Sequence, residues 1–205
     1  MTGLAVVGCP LPIRARGGRG CRTRHAFRVI AVRTSRGEDS PGLQEIERLA
    51  GEQFRAVGLD AVADNEPASI DELVEYAAQG RSWVAVDAAD QPVGFVLVDE
   101  VDGNAHVQEL NVRPDHQGQG VGRALLDRVR VWATATGRSS ISLTTFAEVP
   151  WNRPHYERLG FRVFAEEEIG PELRAVREVE TAHGLDPAIR VCMRLDLDAG
   201  LMERP

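Results

Sequence analysis

Val112-Arg113-Pro114-Asp115-His116-Gln117-Gly118-Gln119-Gly120-Val121-Gly122-Arg123-Ala124-Leu125-Leu126 decides how this 205-residue chain is read. An alternating segment over residues 106–112 predicts a strand entering it. Val121, Ala124, Leu125, Val129 and Trp132 follow at helical spacing, up to a stop at Gly137. The loop therefore joins a strand to a helix that begins inside it. Glycines at alternate positions let backbone N–H groups approach a ligand with no Cβ in the way. The helix N-terminus adds unsatisfied donors and a partial positive charge, which together suit a phosphate.

Three phosphate-binding patterns compete here with an ordinary glycine-rich turn. A P-loop requires Gly-Lys-[Ser/Thr], and all 24 basic residues of this chain are Arg. The dinucleotide fingerprint G-x-G-x-x-G is met at Gly118 and Gly120 but fails at Arg123. The pattern Gln-x-x-Gly-x-Gly is met by Gln117, Gly120 and Gly122.

The tie is broken downstream by Trp151-Asn152-Arg153-Pro154-His155-Tyr156-Glu157-Arg158-Leu159-Gly160-Phe161, after a strand predicted over 141–145. With both segments present, the chain resembles the GCN5-related N-acetyltransferase (GNAT) superfamily over about residues 83–165. The likeness rests on Leu110-x-Val112-x-Pro114, on Gln117-x-x-Gly120-x-Gly122 and on Tyr156-Glu-x-Leu-Gly-Phe161. It implies an α/β fold whose central mixed, mostly antiparallel sheet of about seven strands is flanked by helices and splayed into an acetyl-CoA cleft.

The resemblance also assigns roles. Backbone N–H groups of Gln117, Gly118, Gln119, Gly120, Val121, Gly122 and Arg123 would grip the pyrophosphate of acetyl-CoA. The backbone of Leu110, Asn111 and Val112 would pair with the pantetheine arm, and Asn152 would touch the cofactor. Asn152 stands four positions before Tyr156, where the family more often has about seven, so the helix there is expected to start a turn late. Tyr156 matches the usual general acid. A phenol with a pKa of about 10 is protonated at neutral pH and can donate to a departing thiolate; the alternative is a core aromatic. For the general base the candidate is Glu109, on the strand before the loop, where some family members carry theirs. Others use a Glu on the next strand, but Ser142-Leu143-Thr144-Thr145 stands there, with Glu148 just beyond. His106, placed on the opposite strand face from Glu109 by the period-2 rule, is a substitute.

Residues 1–26 carry no periodicity and several Gly and Pro, and are expected to be a disordered basic tail before a domain over 27–198 and a short tail at 199–205. A first strand is predicted over 27–32. Ser40-Pro41 would open a helix with Ser40 at the N-cap, burying Leu43, Ile46, Leu49, Ala50, Phe54 and Val57. Ser69 and Glu72 make a capping box for a second helix burying Ile70, Leu73, Val74 and Ala77, ended by Gly80. A hairpin is predicted from strands 83–86 and 93–98. Later come a short helix at 153–159, a strand at 161–164, a charged helix at 171–183 and a last strand at 190–197.

The first 36 residues hold eight Arg and no acid, whereas the rest carries sixteen Arg against 31 Asp and Glu. An acidic body argues against nucleic acid as partner. No apolar run approaches the ~20 residues a membrane span needs. Three scattered cysteines and five unpaired histidines suggest neither a disulfide framework nor a metal site, and a cytoplasmic setting is expected. Acids at Glu45, Glu47, Glu52, Asp60, Asp64, Glu66, Asp71, Glu72 and Glu166 to Glu168 lie where this fold usually builds its acceptor wall, which would favour a cationic amine, small molecule or peptide; the alternative is that they only keep the protein soluble. Two functions stand: an enzyme moving acetyl from acetyl-CoA to an amine by direct attack, as a monomer or homodimer, and an acyl-CoA-binding sensor or partner module without turnover. Retained Tyr156 and Glu109 favour the enzyme.

Overall fold

A computed structural model describes residues 30–197. The tails expected at 1–26 and 199–205, and the start of the first predicted strand, lie outside the described residues. The strands are β1 Ala31–Thr34, β2 Ser82–Val86, β3 Pro92–Val101, β4 Asn104–Val112, β5 Ser140–Phe146, β6 Arg162–Val163 and β7 Arg190–Asp196. They form one sheet in the order β1-β2-β3-β4-β5-β7-β6. All neighbours are antiparallel except the parallel pair β4–β5. This is the expected mixed, mostly antiparallel sheet.

Local chemistry sets the connections. Val101 pairs with Asn104, and the two residues between, Asp102 and Gly103, both have positive φ. An Asp-Gly pair is what such a two-residue hairpin turn requires. Alternate side chains then go to opposite faces. Trp83, Ala85, Val96 and Val98 pack with Val121, Leu125 and Val129 of helix α4, Val121–Ala135. Val84, Val86, Phe95 and Leu97 pack with Leu43 and Ile46 of α1, Ser40–Gly51, and Leu73 of α3, Ile70–Ala78. The short α2, Asp60–Ala63, links the latter two helices. Helices α5, Arg153–Arg158, and α6, Pro171–Ala182, follow β5 and β6.

Three helix expectations are corrected. Asp39, not Ser40, occupies the N-cap of α1, because a 3-10 turn over Gly37–Asp39 precedes it and Arg33 and the Arg36 amide hold the Asp39 carboxylate. The stripe from Leu43 to Val57 is not one helix: α1 stops at Gly51, a 3-10 segment Glu52–Val57 follows, and Gly58 at φ +75° ends it, leaving Val57 exposed. In α3 the capping box is present, but Ile70 and Val74 are exposed and only Leu73 is fully buried.

Strand β4 carries an irregularity that matters for the site. Leu97 pairs with Glu109, while the next residue, Val98, pairs with Val107, so Gln108 is an extra residue. A β-bulge of this kind shifts the side-chain alternation by one. Ala105, Val107, Leu110 and Val112 consequently share the α4 face, and His106, Glu109 and Asn111 share the other. The expectation that His106 and Glu109 lie on opposite faces is thereby overturned. His106 is sealed, its Nδ1 on Ser142 Oγ at 2.9 Å, and burial with the nearby Arg190 charge lowers its pKa to about 4.

Candidate active site

The cleft begins where β4 and β5 part. Their pairing covers only Ala105–Val107 against Ile141–Leu143, although both strands continue. Beyond that point Leu110, Asn111 and Val112 remain joined to β3 on one side, and their other edge borders the gap. An extended chain entering the gap could add to this edge as a strand.

The glycine loop closes one end. Arg113 N–H donates to Val93 O at 2.9 Å, and a 3-10 turn Pro114–His116 follows. Gln117 Nε2 donates to Val112 O at 3.1 Å and Gln119 Nε2 to Asp115 O at 2.9 Å. These side chains brace the loop, and the Gln117 N–H turns back to Pro114 O at 3.4 Å. Gly118 and Gly120 have φ of +70° and +85°, a backbone that favours glycine. Gly120 is the N-cap of α4, and the first helical bond runs from Ala124 N–H to Gly120 O. The N–H groups of Val121, Gly122 and Arg123 thus belong to the open first turn that binds anions. Arg123, largely exposed, lies 3.9 Å from Asp127; Arg113 pairs with Asp115 at 2.9 Å.

Sequence reasoning passed over Gly94. A Cβ there would stand 2.9 Å from Asn111 O and 3.0 Å from Val121 Cγ1. Its absence lets β3 approach the cofactor-side strand and the first turn of α4.

The other side of the cleft is β5 with α5. Asn152 is fully buried at the N-cap of α5, yet its side chain does not cap: Nδ2 donates to Thr145 Oγ1 at 2.7 Å. The helix begins immediately after it, at Arg153, as expected, which leaves Tyr156 one turn from its start. Tyr156 is fully buried, with ring centroids 5.5 Å from both Phe161 and His155 in edge-on contacts. Phe161 N–H returns to Tyr156 O at 3.0 Å and Gly160 takes φ +93°, which explains the Gly-Phe that ends the motif.

Glu109 is also sealed, and it has a partner that the sequence did not suggest. Its carboxyl hydrogen-bonds that of Glu47 on α1, and Asn111 Nδ2 donates to Glu109 Oε1 at 2.5 Å. Glu47 accepts from Ala68 N–H at 3.2 Å. Burial pushes Glu47 up to about pKa 7 against that amide's opposite pull. Burial, and then the Glu47 charge, raise Glu109 well above the usual carboxylate range. The pair therefore shares a proton near neutral pH. A signal existed: Leu43, Glu47, Ala50 and Phe54 follow helical spacing, so an acid stands inside the buried stripe. Glu47 and Asn111 line a niche of about 20 Å³ between α1, α2 and β4, with Arg48, Val62 and Asn65 among its walls.

Much of the remaining acid wall is paired internally: Glu45 with Arg48, Glu52 and Asp64 with Arg55, Glu166 with Arg174 and Glu168 with Arg162. Glu180 of α6, another residue passed over, is buried against Arg190 at 2.8 Å and Thr144. Among the described residues no group of three or more His, Cys, Asp or Glu could hold a metal ion, and no helix is long and apolar enough to cross a membrane.

Comparison with known proteins matches this geometry. The family model described as an acetyltransferase (GNAT) domain covers residues 78–163. The peptidyl-lysine N-acetyltransferase YjaB of Escherichia coli is 30% identical over 146 residues, covering 69% of this chain and 88% of that protein. The Salmonella typhimurium protein of the same name is 28% identical, over 69% of this chain and 89% of its own. Mycothiol acetyltransferase of Nocardiopsis dassonvillei is 34% identical over 73% of this chain and 50% of its own. The fold is shared with Rv2747 of Mycobacterium tuberculosis, solved with CoA, at TM-score 0.61 and 21% identity over 82% of this chain and 99% of that one.

Proposed function

We propose, from the premise that this chain belongs to the GNAT acetyltransferase family, that it moves an acetyl group from acetyl-CoA to a primary amine by direct attack within a ternary complex. It is an N-acetyltransferase, as its relatives are. The observation that carries the reading is the parting of β4 and β5 beside an open helix N-terminus. This supports one extended thioester lying along β4 with its phosphates at the glycine loop.

The residues fit that donor. Amides of Gln117, Gly118, Gln119, Gly120, Val121, Gly122 and Arg123 meet the pyrophosphate, and a Cβ on Gly120 would meet nothing within 4 Å, so the loop is open to a ligand. The backbone of Leu110, Asn111 and Val112 takes the pantetheine amides. Asn152, through Thr145, holds the start of α5 so that Tyr156 can donate a proton to the leaving sulfur. The base that prepares the amine belongs to the carboxyl pair of which Glu109 is the strand member. The acceptor is a cationic amine, on a small molecule or a peptide; the YjaB proteins are named for peptidyl-lysine, whose acceptor is such an ammonium.

Thiol release from acetyl-CoA over a panel of polyamines, aminoglycosides and lysine peptides tests the reading. Turnover on one class, cut at least 100-fold by Tyr156→Phe, is expected. Binding of acetyl-CoA with no turnover on any acceptor would instead identify a sensor module.

A further inference from the structure

The acid that opens to the niche beside β4 is not the one the strand position suggests. Glu109 is 1% exposed and absent from the walls of the niche beside β4, whereas Glu47 and Asn111 form part of them. We propose that Glu47 is the carboxylate that meets the acceptor's ammonium, with Glu109 behind it as a positioning residue and proton store. This rests on the reading of the chain as an amine acetyltransferase.

Two observations converge. The niche admits one water-sized group, which is also the size of a primary ammonium head. The neighbouring acids have arginine partners, Glu45 with Arg48 and Asp99 with Arg81, while among the described residues neither Glu47 nor Glu109 forms an ion pair. A carboxyl pair sealed at Glu109 and half-buried at Glu47, with no cation of its own, can take one from outside.

The proton balance is simple. The pair begins with one shared proton and one negative charge. The ammonium gives a proton to Glu47, and the free amine's lone pair forms the N–C bond to the acetyl carbonyl carbon. The C–S bond breaks with its electrons on sulfur, which takes a proton through Tyr156 as the nitrogen loses one. The pair returns its extra proton to water when the amide leaves. Glu72 and Tyr76 of α3, Arg48 of α1 and Asn111 of β4 are the charged and polar groups around the pair, with Asp99 of β3 on the Tyr76 hydroxyl.

The test is kcat/KM against pH for the full chain, Glu47→Gln and Glu109→Gln, using an amine from the panel that turns over. Stabilisation by acetyl-CoA verifies each fold. Glu47→Gln is expected to lose about 100-fold and to move the acid limb down by about one pH unit, since the remaining carboxyl loses its like-charged neighbour. Glu109→Gln should lose roughly tenfold, because Glu47 still faces the amine. A residue with only a structural role would leave the limb in place. Greater damage from Glu109→Gln, or a wild-type profile in Glu47→Gln, overturns the assignment. If Glu47→Gln fails to bind acetyl-CoA, Glu47→Asp, which withdraws the carboxyl by one methylene, must lose about tenfold with cofactor binding intact. A wild-type chain that binds acetyl-CoA but acetylates nothing defeats the parent reading, and this one with it.

Discussion

Asn152 donates its side-chain amide to Thr145 Oγ1 at 2.7 Å, and both residues are fully buried. The bond fastens the N-cap residue of α5 to strand β5 beyond the stretch where β5 pairs with β4. Tyr156 follows one turn later, its own N–H on Asn152 O at 3.2 Å. Orientation of the proposed acid is thus inherited from a residue that need not touch the substrate. The likeness to the family accounts for an Asn at this position through the cofactor; the geometry adds a second reason to keep it.

Replacing Asn152 by Ala should therefore cost both stability and rate. The lost bond leaves a buried hydroxyl unsatisfied, worth about 1–3 kcal/mol. For a chain of this size that lowers Tm by roughly 2–10 °C. We expect kcat to fall at least tenfold even at temperatures where the variant is folded. Thermal unfolding followed by steady-state assays checks both; an Asn152→Ala enzyme with normal kcat would show that Tyr156 is oriented by its ring packing alone.

Gly94→Ala addresses the cofactor side. The new methyl would press on Asn111 O and Val121 Cγ1, and backbone at one contact cannot swing aside. Overpacking of this kind costs about 1–3 kcal/mol. Because the displaced atoms belong to β4 and the first turn of α4, the expected signature is a KM for acetyl-CoA raised about tenfold with little change in the KM for the amine. Equal changes in both would point to general loosening.

Much of this was legible in the sequence wherever the signal is local. The Ser69–Glu72 box, the Asp102-Gly103 turn and the helix-ending Gly80 and Gly137 each act within a few residues. The glycine loop is legible for the same reason. What could not be read was set across the sheet. The extra residue Gln108 reverses the alternation, so a period-2 count placed His106 and Glu109 on opposite faces when they share one. Glu47 meets Glu109 across 62 positions of chain, and Glu180 meets Thr144 across 36. Burial gives those acids their properties, and burial is decided by tertiary packing.

Glu47→Gln carries a stability prediction separate from its effect on rate. The folded-state pKa of Glu47, about 7, lies above its ordinary value near 4.5. Between those values the folded protein binds more protons than the unfolded chain, so stability falls as pH rises through that window. The amide cannot ionise and escapes this loss. Glu47→Gln should match the wild type near pH 4.5 and be more stable at pH 8, by about 1–3 kcal/mol. Denaturant midpoints at the two pH values decide it, and a wild type whose stability rises from pH 5 to 7.5 relative to the variant would contradict the shared-proton pair.

The last prediction concerns the far side of β5. Arg190 lies against Glu180 through Nη2 at 2.8 Å and Nε at 3.2 Å, and its Nη2 also donates to Thr144 Oγ1 at 2.8 Å. Both charged residues are buried, with the guanidinium 4.8 Å from the Phe146 ring centroid. Removing one charge leaves the other uncompensated, which costs about 3–5 kcal/mol; replacing both with apolar groups of similar size is often neutral. Arg190→Ala should therefore lower Tm by roughly 10 °C, while the double variant Arg190→Met with Glu180→Leu recovers most of it. Since Thr144 and Thr145 are adjacent on β5, the single variant should also reduce kcat by loosening the strand on which Asn152 rests. A double variant that recovers stability but not kcat would mean that the ion pair holds β5 in position as well as holding the fold together.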